Sequence, residues 1–111
     1  MATKLIDAAT STVTGSAIRV TSPPSSGAQF TQRTFQASGL TTAGAGAVSV
    51  AVQVSNSNLS TDWLTLGTIS LVLGTTQISD GITSNAAWEY VRGVVTSISG
   101  TGATVNLWMG V

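Results

Sequence analysis

Eight side chains carry all the formal charge of this 111-residue chain: Asp7, Asp62, Asp80 and Glu89 against Lys4, Arg19, Arg33 and Arg92. Two carboxylates facing each other across a cleft would support hydrolytic acid–base chemistry. Asp62 and Asp80 stand in turn contexts, where an aspartate commonly bonds its own backbone, and Glu89 sits in a strand within reach of Arg92 or Arg33. No catalytic pair is expected from that distribution. Histidine and cysteine are both absent, which removes imidazole bases, thiolate nucleophiles, disulfides and nearly every transition-metal site.

The remaining chemistry-bearing patterns are weak. Asn56, Asn58 and Asp62 come nearest to a calcium loop but lack its spaced Asp, Asn and Gly ligands. Gly44-Ala45-Gly46 and Gly100-Thr101-Gly102 imitate half of a phosphate-binding fingerprint, yet no helix follows either, so both read as turns. Asn58-Leu59-Ser60 matches a glycosylation acceptor, expected to stay unmodified without a secretion signal. Trp63, Trp88 and Trp108 offer flat rings that could stack on sugars, but Trp63 and Trp88 open strands and are expected to cap the ends of a core. Enzymatic activity, a metal and a cofactor are therefore not expected.

The elements that would position these residues are strands. Helical periodicity is missing, while Thr, Val and Ile recur in short runs punctuated by Gly, Asn, Asp and Pro. In Ala47–Ser55 the residues Val48, Val50, Val52 and Val54 share one face, which predicts a strand with its valines in a core. Asn56–Asp62 is turn chemistry, so the run Trp63–Leu73 should return as a hairpin partner. Apolar parity changes across Gly67, which predicts a bulge there, with a tight turn as the alternative. Gly74–Ala87 reads as a long connection with a brief extended piece around Ile78–Ile82.

Trp88 to Ile98 is apolar on both faces and should be a central strand, ended by the tight turn Ser99–Gly102. In the last strand, Ala103–Val111, alternation puts Val105, Leu107, Met109 and Val111 inward and Trp108 outward. Val13–Val20 and Phe30–Ala37 are two further strands, separated by a loop containing Pro23 and Pro24. The fold class expected is all-β: one antiparallel β-sandwich of six to eight strands, jelly-roll or immunoglobulin-like, over residues 11–111, with residues 1–10 as an N-terminal arm.

Composition narrows the partners. Charged residues make up 7% of the chain, where about 25% is ordinary, and the net charge is zero. Serine and threonine fill about 30% of positions, so the polar surface is built of hydroxyls. Little like-charge repulsion then holds copies apart, which favours association. Four scattered cations make no basic stripe, so nucleic acid is not an expected partner. No apolar run approaches the length of a membrane helix, and Asp7 interrupts any signal-like block, which points to synthesis in the cytoplasm.

From Arg33 to Val111 the chain resembles small structural proteins of tailed-bacteriophage virions. The resemblance rests on Thr34-Phe35-Gln36-Ala37-Ser38-Gly39, Gly44-Ala45-Gly46-Ala47, Val52-Gln53-Val54-Ser55-Asn56, Trp63, Leu66-Gly67-Thr68-Ile69, Tyr90-Val91-Arg92 and Ser97 to Val105. Similar proteins often carry a tighter Asp-Gly turn where Ser57–Ser60 stands here, so this hairpin tip should be longer. The resemblance implies a virion β-sandwich without disulfides, made in the host cytoplasm. A head decoration or cement protein is the first expectation, a trimer seated on major capsid subunits. Its expected contacts are Trp108, Arg33, Gln36 and Arg92, with Lys4 and Ile6 on the arm. The alternative is a tail or fibre module that binds receptor glycans through Trp63 or Trp108 and the segment Gly74–Ala87.

Overall fold

The computed structural model describes residues 3–19, 32–57, 61–85 and 89–110, with the backbone alone described for Thr3, Gln32, Arg33, Ser84 and Asn85. Nine strands follow in chain order: β1 Thr3–Ala9, β2 Val13–Thr14, β3 Ile18–Arg19, β4 Gln32–Leu40, β5 Ala43–Ser55, β6 Leu64–Leu73, β7 Ile78–Asn85, β8 Tyr90–Thr101 and β9 Thr104–Gly110. They form two antiparallel sheets, one ordered β1-β9-β4-β7 and the other β2-β8-β5-β6, with β3 also on β8.

The two sheets pack as a β-sandwich. With β2 and β3 counted as one interrupted strand there are eight, and every connection but β5–β6 passes from one sheet to the other. That order is a jelly roll, not an immunoglobulin sandwich.

The core lies between the inner faces. One sheet contributes Leu5, Ile6, Phe35, Ala37, Val105, Leu107 and Met109. The other contributes Val48, Val50, Val52, Val54, Ile69, Leu71, Leu73, Val91 and Val95. Full burial of each large side chain contributes about 1.5–3 kcal/mol. The inner face of β8 is bare at Gly93 because opposing side chains fill the space: a Cβ there would lie 2.6 Å from Leu107 Cδ2 and 2.9 Å from Ile6 Cγ1.

Several expectations hold at the level of single residues. The four valines of β5 are buried, β6 pairs with β5 as a hairpin, and β8 is central between β5 and the β2/β3 pieces. The register steps from Val52↔Gly67 to Gln53↔Thr65, which leaves Leu66 as the extra residue and places the bulge beside Gly67. A Cβ on Gly67 would meet Ile82 Cδ1 at 2.6 Å, so the glycine also lets β7 close against β6.

Other expectations are corrected. Residues 3–9 are no arm: they form β1, paired with β9, and bury Leu5 and Ile6 to 6% and 3% exposure. Two adjacent inward residues are possible because the register shifts between Lys4 and Ile6. The described part of the expected strand Val13–Val20 is two short pieces, β2 and β3, interrupted from Gly15, where a Cβ would meet Leu5 O at 2.7 Å. The extended piece expected around Ile78–Ile82 is present but is part of a longer strand, β7, paired along its length with β4. The turn after Ser99 is a corner joining the two sheets, with Gly100 and Gly102 at φ of 117° and 62°, conformations that suit glycine. Trp88, the loop with Pro23 and Pro24, and Asn58-Leu59-Ser60 lie outside the described residues.

Candidate functional site

The expected contact residues divide between opposite faces of the sandwich. On the outer face of the β1-β9-β4-β7 sheet, cross-strand pairing aligns Lys4, Trp108, Gln36 and Gly81 in one transverse row. Strands stand about 4.8 Å apart, so the row runs for roughly 14 Å. Trp108 is half-buried on β9 and points away from the core, as its alternation predicts. Lys4 Nζ sits 5.2 Å from the Trp108 ring centroid and 3.0 Å from Asp7 Oδ1, so that cation already has two partners.

Beyond Gln36 lies a shallow trough of about 370 Å³, lined by Thr34, Gln36, Ser79, Asp80, Gly81 and Thr83 among others. Asp80 Oδ1 accepts the backbone N–H of Gly81 at 2.8 Å, the own-backbone bond expected of it, made from within a strand.

Arg92 belongs to the other sheet. On its outer face Arg92 stands opposite Gln53, donates Nε–H to Gln53 Oε1 at 2.8 Å, and lays its guanidinium 4.2 Å from the centroid of Trp63. Trp63 is thus a platform for Arg92 on the surface. Replacing Arg92 by alanine is expected to cost about 1 kcal/mol, because the group is only half-buried, and to shift the Trp63 emission. Arg92→Lys should cost less, since it keeps a cation over the ring and loses the Nε–H bond. Urea melts read by tryptophan fluorescence give both values.

Two more expected contacts change status. Ile6 is at 3% exposure and belongs to the core, so it cannot be a contact residue on the surface. Arg33 is placed on β4, paired with Ser84, and its side chain is outside the description. Glu89 pairs with Arg19 at 2.9 Å, while Arg92 bonds Gln53 instead. Asp62 accepts Ser57 Oγ–H at 2.7 Å. The described carboxylates are therefore spread over separate sites, and among the described residues no group of three His, Cys, Asp or Glu could hold a metal. No described helix is long and apolar enough to cross a membrane.

The surface that sequence reading missed is the rest of the outer face around β5. From Ala51 toward Ala47 its cross-strand rows are Thr68–Ala51–Val94, Ser70–Ser49–Ser97 and Val72–Ala47–Ser99. These nine residues are small or β-branched and carry no charge. Ala51 is only 3% exposed although it points outward, because larger neighbours flank it, whereas Val72 is 79% exposed. The signal was present in the alternation of β5, whose outward positions Ala47, Ser49, Ala51 and Gln53 are all uncharged. No protein-family model matches this chain, and neither a curated protein nor a solved structure is significantly similar to it.

Proposed function

We propose that this chain is a structural subunit that works covered by other polypeptides, specifically a bacteriophage head decoration protein that binds and stabilises the mature capsid lattice. The observation that carries the reading is the charge-free part of the outer face formed by Ala47, Ser49, Ala51, Thr68, Ser70, Val72, Val94, Ser97 and Ser99. A flat face of small uncharged side chains loses little solvation when covered and admits close approach. A subunit that binds only the mature lattice holds that state by about 2.7 kcal/mol per site at a hundredfold excess over Kd. Repeated over a shell, such a term resists internal pressure. The scattered carboxylates and the lack of histidine and cysteine speak against an enzyme.

The test uses heads of the phage that encodes the chain. Purified protein is expected to co-sediment with expanded heads and to raise their melting temperature, while Ser97→Arg, which puts a charge in the middle of the face, abolishes both effects without changing the fold of the free protein. Heads that neither bind the protein nor gain thermal stability would sink the proposal.

One observation favours a second reading, a tail or fibre module that binds receptor glycans. The sheet register sets Trp108 and Gln36 beside a hydroxyl-lined trough that includes Asp80 and Gly81, all from segments of the chain far apart in sequence. An indole plus convergent hydroxyl and amide groups suits a neutral sugar. Tryptophan emission that changes with host polysaccharide, together with indifference to heads, selects this reading.

A further inference from the structure

The assembly reading leaves open which surface meets which, and the sheet edges decide more than the faces do. An edge strand presents unpaired N–H and C=O groups that template another strand, and proteins normally blunt such edges with charge, proline, bulges or brevity. Three of the four described edges here are blunted. β1 carries Lys4 and Asp7, shifts register twice and holds Ala8 at a φ of 49°. β2 and β3 have two residues each, and Arg19 is exposed on the latter. β7 carries Asp80.

The fourth edge, β6, is protected only at its start, by the bulge at Leu66. Its ten residues, Leu64–Leu73, contain neither charge nor proline, and Leu64 and Val72 are 56% and 79% exposed. Among the described residues no strand lies beyond it.

We propose that β6 pairs antiparallel with β6 of a second copy about a twofold axis at Ser70, joining two sheets into one. The occupant is a second copy because the edge is compatible with itself. The bulge at Leu66 leaves Gly67–Leu73 as the uninterrupted stretch, and Ser70 is its centre. Folding that stretch on itself sets Thr68 against Val72 on the outer face and Ile69 against Leu71 on the inner side, with no like charges opposed. Such β-branched and aliphatic cross-strand pairs are favourable. Isologous pairing of this kind closes as a dimer, so a trimer would need a different contact.

Area sets the strength. Seven residues span about 24 Å, and an edge roughly 10 Å deep gives about 240 Å² per copy. A standard interface needs about 800 Å² per partner. The dimer is therefore weak in dilute solution and forms at high concentration, or where an assembly holds copies side by side.

The absence of cysteine makes the test clean. Ser70→Cys puts two thiols opposite each other across the axis, where directly paired Cβ atoms lie about 4.5–5.5 Å apart, close to the reach of a disulfide. Under mild oxidation this variant is expected to form a covalent dimer at least about tenfold faster than Ser97→Cys, which is on the same face two strands inward. Sedimentation of the unmodified chain should show concentration-dependent dimer, and Val72→Lys should return it to monomer. Equal cross-linking of the two cysteine variants, or a monomer at every concentration, overturns the proposal.

The inference rests on the assembly reading for its purpose, and head binding is scored separately. A monomeric chain whose attachment to heads is lost in Val72→Lys assigns the edge to a different protein's strand; the second copy is then overturned while the assembly reading stands. A Ser70-centred dimer that ignores heads keeps the edge and sinks the assembly role.

Discussion

Removing residues 1–9 is expected to unfold the protein at room temperature. Those residues include Leu5 and Ile6, which with Leu107 and Met109 fill one side of the core, and they supply the only described neighbour on the outer side of β9. Ile6→Ala alone should cost about 2–5 kcal/mol through lost burial and the cavity left behind. A domain of this size has only about 5–15 kcal/mol in total. Truncation removes both side chains and uncovers Gly93 and Leu107 beneath them. Circular dichroism of the truncated chain should lack a cooperative thermal transition. A truncated protein that melts within a few degrees of the full chain would mean that β1 adds nothing to the sandwich.

The second large effect is at Phe35. Among the described residues it is the largest fully buried side chain, at 1% exposure, on β4 between Met109 of β9 and Ile82 of β7. Phe35→Ala is expected to destabilise by about 3–5 kcal/mol, since the strands on both sides are fixed by their ladders and cannot collapse into the void. At about 4–8 °C per kcal/mol, the melting temperature should fall by more than 10 °C. Phe35→Leu keeps most of the volume and should cost under half as much. Urea melts of the two variants test the argument: a shared midpoint would show that the site relaxes around a small side chain.

Local patterns in the chain carried the centre of the fold well. The four valines of β5 alternate without interruption, and the parity change at Gly67 marks a bulge that the register reproduces. What failed was whatever depends on pairing at a distance. Leu5 and Ile6 are adjacent, so they break the period of two and read as a tail; only the register shift against β9 explains why both point inward. Ile78–Ile82 of β7 was legible as extended, but the small polar residues after it are held as strand by β4 beside them. The tight turn at Gly100 was legible, but not that its two strands belong to different layers.

The candidate contacts were legible to the same extent. The outward direction of Trp108 follows from alternation in β9, and Gln36 lies next to it only because β4 pairs with β9. Gln53 as the acceptor for Arg92, and Arg19 as the partner of Glu89, depend on strands that meet only in the folded state. The unguarded edge could be read only after the strand order showed which element is outermost.

The pairing of the first strand with the last has a kinetic consequence. Thr3 of β1 pairs with Met109 of β9, so the sheet that contains β1 cannot be completed until β9 has been synthesised. Until then the nascent chain holds its valine-rich hairpin without a lid, and contacts of such high sequence separation form slowly, on the millisecond-to-second scale typical of all-β domains. Closure of β1 on β9 is therefore a late step of folding, taken only after the strands between them exist.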